Sequence, residues 1–406
     1  MRKLFRVYFF MHKNRNLLII ALIAMVNMLG YGIIIPILYG YSKKYGLSDF
    51  DNGLLFALFS ICQFASTPII GRLSDKYGRR PLLITSILGT VASFFVMAFA
   101  PNALFLFLAR ALDGLTAGNI PVVFAVISDS TKPEDRPRAF GLVGAAFSFG
   151  FVFGPAVAAF TVGFGEGVPF IIAGIVTLIA AILTIVFLPE TNKHMGEVRH
   201  GKLFDFPLML KTLINPEVGP TFLISLIFFL AFSCSIIYGF QPFVLNVLHM
   251  SSSQNAMLFT LFGVVGLITQ TLLVQRFSKW LGVKRAFMTS IVFTAIAMLI
   301  MPLFNSISIF IFAMIILGLF NSIVQTLIPA ILSQEADAKS QGSIMGLNAS
   351  YQSIGMIIGP ILGGVLATIA IPLPFIVGGL LVILCFFLSF KVMQKGMKKD
   401  SAFKSS

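Results

Sequence analysis

Along this chain the apolar positions neither alternate with polar ones nor keep to one helical face; they run together. The runs cover approximately residues 16–40, 52–71, 81–100, 102–128, 139–162 and 168–188, then 219–243, 255–275, 286–303, 307–333, 343–368 and 371–391. Each is close to the roughly 20 residues a helix needs to cross a bilayer. The stretch Ile171 to Leu188 lacks the polar face that a helix of a water-soluble core would keep. Outer-membrane strands are excluded too, because their period-two pattern is only weakly apolar in any one segment. The pattern predicts an all-α polytopic membrane protein with twelve spans. They are organised as a six-helix bundle over 1–188, a polar linker over 189–218, and a second six-helix bundle with a tail over 219–406.

Composition agrees with that reading, and charge orients it. Charged residues make up 11% of the 406, against about 25% in soluble domains. The net charge of +14 is spread over the turns. If both termini lie on one side, 26 of the 29 Lys and Arg fall on that side, in the tail up to Arg15, in Arg72–Arg80, Lys132–Arg138, Lys193–Lys211 and Arg276–Arg285, at Lys339, and in Lys391–Lys404. Lys43 and Lys44 face the other way, and Arg110 lies inside the fourth span. Basic residues are retained in cytoplasmic loops, so the expectation is a multi-pass protein of a bacterial inner membrane with both termini cytoplasmic. The basic tail before a long run lacking a small-residue cleavage site reads as the start of a retained helix.

The same distribution limits the partners. Bases divided among turns can meet anionic headgroups, whereas a nucleic-acid surface would gather them into one patch. The expected partners are a small-molecule substrate, protons and the lipid bilayer, with no nucleic acid, and the functional unit is expected to be a monomer. Cys62, Cys234 and Cys385 fall in three separate runs and the four histidines are scattered, so neither a metal site nor a redox pair follows. No cofactor is implied. No nucleophile and base stand at a plausible catalytic spacing, which argues against an enzyme.

The two halves repeat each other. Gly141, Gly150, Gly154 and Pro155, with the small pair Ala158-Ala159, recur 205 residues later as Gly346, Gly355, Gly359 and Pro360, with Gly363-Gly364. The fifth and eleventh spans therefore read as one helix present in two related bundles. Duplicated bundles are how many secondary transporters build a central path and alternate its access. Small residues at these positions would let helix backbones pack closely.

Charges inside the spans need a reason. Arg110 and Asp113 are three residues apart in FLFLARALDGLTAGNIPVVF, hence on one helix face. Charges at such depth are costly and usually face the bundle interior or a water-filled cavity. Asp113 is the only acid deep in any run, which makes it the leading candidate for a protonation site, with Arg110 as its electrostatic partner; a static structural pair is the alternative. Asn27 precedes Gly30, Tyr31, Gly32 and Pro36, an expected interruption of the first span, and Tyr238-Gly239-Phe240-Gln241-Pro242 is a comparable one in the seventh. Asn27, Tyr31, Gln63, Tyr238, Gln241, Gln270 and Gln325 form the candidate substrate path, each of them alternatively a polar contact between helices.

The turn after the second span reads Gly71-Arg-Leu-Ser-Asp75-Lys-Tyr-Gly78-Arg79-Arg80. Asp75 can accept backbone N–H groups or complement a helix terminus, and the glycines permit a tight turn. Asp129, closing the fourth span, is a counter-charge for Arg79 or Arg80. Such a cluster would latch one conformation.

This turn resembles the signature between the second and third helices of the major facilitator superfamily, and the ARALDG stretch and Gly-Pro fifth span occur in that family's order. Within it the chain looks most like the twelve-span drug:proton antiporters, including the tetracycline efflux carriers. The resemblance implies a cytoplasmic latch of Asp75 and Arg79 with Asp129 and the start of the eleventh span near Gly342. It implies proton coupling at Arg110 and an antiporter motif at Gly150, Gly154 and Pro155, although that motif recurs at Gly355, Gly359 and Pro360 in the other half. One departure stands out: the tetracycline carriers have an aspartate in the first helix where this chain has Asn27. The function expected is proton-coupled export of small amphipathic or drug-like molecules by alternating access. The alternatives are export of a specific metabolite, sugar or siderophore, symport, or uncoupled facilitation.

Overall fold

A computed structural model describes residues 15–192, 195–196, 204–335 and 340–404. The basic tail before Arg15, most of the centre of the linker and Lys339 lie outside the described residues. Among those described, twelve helices are long and apolar enough to cross a membrane. They are α1 (Asn16–Lys43), α2 (Asp49–Tyr77), α3 (Arg79–Ala98), α4 (Ala103–Ser130), α5 (Arg138–Phe164), α6 (Val168–Phe187), α7 (Gly219–Asn246), α8 (Ser252–Leu281), α9 (Val283–Ile300), α10 (Ile307–Glu335), α11 (Gln341–Ile369) and α12 (Leu373–Val392). A short helix, Phe206–Ile214, lies in the linker, with Asp205 capping it by accepting from the Leu208 N–H at 3.1 Å.

In hydrocarbon each backbone polar group must be satisfied within the protein, and helices do this inside one segment. Buried hydroxyls follow the same rule. Thr177, Thr184, Ser290 and Thr294 each donate to the carbonyl four residues back at 2.7 Å. These four hydroxyls are thus satisfied within their own helices.

The chain divides into two contact units. The first holds the residues up to Gly46, Leu58–Leu203 and Ser252–Thr260; the second holds Leu47–Ala57, Phe204–Ser251 and the residues from Leu261 onward. The boundary falls within the linker, and the first turns of α2 and of α8 each belong to the other half's unit. Each unit has the same internal pairings. In the first, α1 packs on α5 and α6, and α3 on α4 and α6; in the second, α7 packs on α11 and α12, and α9 on α10 and α12.

The repeated glycines explain the tightest of these pairings. A Cβ on Gly154 would lie 2.6 Å from the Leu29 carbonyl oxygen, and one on Gly150 would strike that of Met25. In the second unit a Cβ on Gly355 would lie 2.7 Å from the Leu230 nitrogen, and one on Gly359 would collide with Ser233 Oγ. So α5 lies backbone to backbone on α1, and α11 on α7, through the same residues of the repeat.

One expectation is corrected here. The first span is not interrupted: α1 continues as a helix through Gly30, Gly32 and Pro36. Gly32 serves packing, since a Cβ there would sit 2.9 Å from Pro155 Cδ. In the seventh span the irregularity is a π-helical stretch over Ser233–Gly239, just ahead of Pro242. Ser233 Oγ donates to Gly355 O and Ser235 Oγ to Pro374 O, both at 2.8 Å, tying this stretch to α11 and α12.

Gly154→Val should destabilise the protein by about 1–3 kcal/mol, because the added carbons meet main chain that has no rotamer to yield. Thermal unfolding in detergent checks this; an unchanged midpoint would contradict the close α1–α5 contact.

Candidate functional site

The first unit gathers a charged and polar cluster around α4. Arg110 and Asp113, one turn apart, pair through Arg110 Nη1 and Asp113 Oδ2 at 3.2 Å, with the Arg110 side chain 2% exposed and that of Asp113 7%. The guanidinium carbon lies 4.4 Å from the centre of the Phe59 ring on α2, and Phe59 in turn contacts the Tyr31 ring on α1 at 5.7 Å. A cation held over a ring face in a desolvated site gains from the ring's quadrupole. Arg110 Nε is buried and has no hydrogen-bond partner among the described residues.

Past Asp113 the helix tightens. Ala117–Asn119 form a 3-10 turn inside α4, and this tightening brings a second polar layer together. Asn27 Nδ2 donates to Asn119 Oδ1 at 2.9 Å, and Gln63 Nε2 to the Ala117 carbonyl at 3.2 Å. Close approach of α2 to α4 makes this geometry possible, since a Cβ on Gly114 would strike the Phe59 carbonyl oxygen and one on Gly118 would strike Ser66 Oγ. Three of the candidate path residues, Asn27, Tyr31 and Gln63, therefore sit half-buried in two layers around the ion pair.

The candidates of the second unit do not gather in this way. Tyr238 is fully buried and its hydroxyl donates to the Asp49 carbonyl at 2.6 Å. Gln241 is fully buried, with Nε2 donating to the Ile237 carbonyl at 3.3 Å. Gln325 is half-buried on α10, and Gln270 is exposed within a π-helical stretch of α8, Thr269–Leu273.

At the turn between α2 and α3, Arg79 is the hub. Its Nη1 lies 2.6 Å from Asp75 Oδ1, and its Nε lies 3.3 Å from Asp129 Oδ2. Of the two arginines, then, Asp129 meets Arg79. Arg80 instead donates from Nη2 to the Ile185 carbonyl near the end of α6, at 2.7 Å. Gly78 has a φ of 103°, a backbone region that glycine enters without strain. Gly71, one turn before Asp75, lies opposite Pro121 of α4, where an added Cβ would meet Pro121 Cβ at 3.8 Å.

The backbone-accepting role expected of Asp75 falls to another residue. Glu190, just after α6, accepts from the N–H groups of Arg79 at 2.9 Å and Arg80 at 3.1 Å, capping the N-terminus of α3. Asn192 Nδ2 then donates to the Asp75 carbonyl at 3.0 Å. The chain leaving the first bundle is thus bound to the turn that carries the Arg79 cluster. Sequence spacing hides Glu190 because it stands 111 residues from Arg79. Its only signal is an acid directly after the last residues of a span.

Two bundles with one internal plan, spanned by twelve apolar helices and holding a buried ion pair with a polar layer beside it, define a membrane transporter. The chain belongs to the Major Facilitator Superfamily, whose family model matches residues 20–233 and 221–405. It is 30% identical over 383 residues to Multidrug resistance protein 2 of Bacillus subtilis (strain 168), covering 93% of this chain and 94% of that protein. It is 28% identical to the class H tetracycline resistance protein of Pasteurella multocida, covering 86% and 88%. Among solved structures, the human organic anion transporter MFSD10 (TETRAN) superposes with a TM-score of 0.68 at 20% identity, over 92% of this chain and 99% of that one.

Glu190→Ala should weaken the start of α3 by about 0.5–1 kcal/mol, the range for a cap at an exposed helix end. Hydrogen exchange at the Arg79 and Arg80 amides should accelerate accordingly; unchanged exchange would contradict the cap.

Proposed function

We propose that this protein exports small amphipathic, drug-like molecules in exchange for protons, by alternating access of its two bundles. The observation that carries the proposal is the Arg110–Asp113 pair, the only acid-base pair buried inside a span among the described residues. The multidrug and tetracycline resistance proteins among its relatives support the drug-export reading.

In this reading Asp113 is the proton carrier. While ionised it holds Arg110 over Phe59; once protonated it no longer compensates the arginine. The guanidinium is then free to take another acceptor, and its unpartnered Nε already offers a donor to one. Asn27, Tyr31 and Gln63 line the substrate path in the first unit. An amide at position 27 can donate and accept hydrogen bonds but carries no proton, so coupling rests on Asp113 alone rather than on two acids. The latch at Asp75, Arg79 and Asp129 stabilises one state modestly, since water screens it. The distribution of basic residues over the turns supports a reading in which both termini are cytoplasmic and the protein acts as a monomer in a bacterial inner membrane.

Flux of a panel of amphipathic dyes in proteoliposomes under an imposed pH gradient tests this. Gradient-driven export should be abolished in Asp113→Asn, and reduced but not abolished in Arg110→Lys, because an ammonium keeps the charge and loses the planar stack. Full gradient-driven export by Asp113→Asn would sink the proton-carrier assignment, and movement of dyes indifferent to the gradient in the wild type would mean facilitation.

A further inference from the structure

The turn between α8 and α9 is the second half's copy of the latch turn. Displaced by 204 residues, Arg72, Ser74, Gly78 and Arg80 fall on Arg276, Ser278, Gly282 and Lys284. The geometry is copied as well. Gly282 has a φ of 77° beside the 103° of Gly78. Lys284 Nζ donates to the Val392 carbonyl at the end of α12 at 2.9 Å, as Arg80 donates near the end of α6.

The charge is not copied. Lys279 stands where Asp75 would, and Val283 where Arg79 would. Nothing takes the place of Glu190: among the described residues no carboxylate pairs with Arg276, Lys279, Lys284 or Arg285, nor with the first amides of α9. The sequence holds no acid at all between Glu217 and Glu335. Glu335, which ends α10 as Asp129 nearly ends α4, accepts from Thr221 Oγ1 at 2.8 Å. A turn built on the plan of an internally neutralised cluster thus carries four bases with no carboxylate partner among the described residues.

Beside those bases stands Trp280, the one tryptophan of the chain, 78% exposed, and Leu272 two turns earlier is 53% exposed. An exposed indole at the end of a spanning helix is placed for the headgroup level of a bilayer, and clustered bases at that level attract anionic headgroups. We infer that the α8–α9 turn binds the headgroup of an anionic phospholipid, whose phosphate supplies the counter-charge that Asp75, Asp129 and Glu190 supply in the first half. Exposed apolar side chains on the helix that carries Arg276 and Lys279 favour a lipid over a soluble anion, which would leave Trp280 and Leu272 in water. The two latch turns then answer to different partners, one to carboxylates of the chain and the other to the composition of the membrane.

Because Trp280 is the only tryptophan, its fluorescence reads the site directly. The full chain is reconstituted in phosphatidylcholine containing a minor fraction of brominated phosphatidylglycerol or, in parallel, of brominated phosphatidylcholine. Brominated phosphatidylglycerol should quench more strongly at equal bromine content, with a preference of about fivefold for each base that engages the headgroup. The preference should vanish in Arg276→Gln/Lys279→Gln/Arg285→Gln and fall with added salt, while Lys132→Gln in the first half retains it. Equal quenching by the two lipids in the wild-type protein would overturn the inference, and that comparison needs no variant to fold. An undiminished preference in the triple variant would also overturn it. So would loss of the preference on adding millimolar inorganic phosphate at constant ionic strength, which would assign the turn to a soluble anion.

Discussion

A charge in hydrocarbon is costly unless something nearby compensates it, and the arrangement of this molecule follows from where its few charges find compensation. Within the spans there is one solution. Arg110 and Asp113 share a helix face and a 3.2 Å contact, and Phe59 covers the open side of the guanidinium. The α2–α4 approach that sets Phe59 there is in turn permitted by Gly114 and Gly118. At the membrane surface the constraint relaxes, and the Arg79 cluster uses carboxylates that water can reach. These two settings give the charges different strengths: the pair within the span is shielded from water, and the Arg79 cluster is screened by it.

The duplicated plan determines which helices can carry chemistry. α1 and α7 are each clasped by the glycine face of α5 or α11, so their positions are set by main-chain contact rather than by side chains that could repack. On that scaffold the two units diverged in polarity. Around α4 the polar groups bond to one another across helices, as Asn27 does with Asn119. In the second unit Tyr238 and Gln241 are buried against main-chain carbonyls, and a ring cluster of Phe240, Phe243, Phe310 and Phe375 fills the space nearby. Asymmetry of this kind concentrates the buried charges and the polar contacts between helices around α4.

Much of this was legible in the sequence because membrane insertion writes itself in run length. The twelve spans, the repeat of the Gly-Pro helix and the partnership of Arg110 with Asp113 all depend on spacing within one helix or on composition along one run. What was not legible depends on distances across the fold. The pairing of Asn27 with Asn119 requires the 3-10 turn after Asp113, which nothing in AGN announces. Glu190 caps a helix that begins 111 residues earlier in the chain. Pro36 looked like a break, yet α1 runs on through it, with the neighbouring Gly32 taken up by the packing of α5. Hydropathy fixes which segments cross the membrane and is silent on which side chains meet there.

The central claim is that Asp113 takes up and releases a proton where it stands beside Arg110. Infrared difference titration of the protein in lipid, wild type against Asp113→Asn, tests this without reference to any substrate. Uptake of a proton at Asp113 predicts a carboxylic-acid carbonyl band that grows as the pH is lowered and is missing from the variant. Identical difference spectra for the two proteins would contradict it.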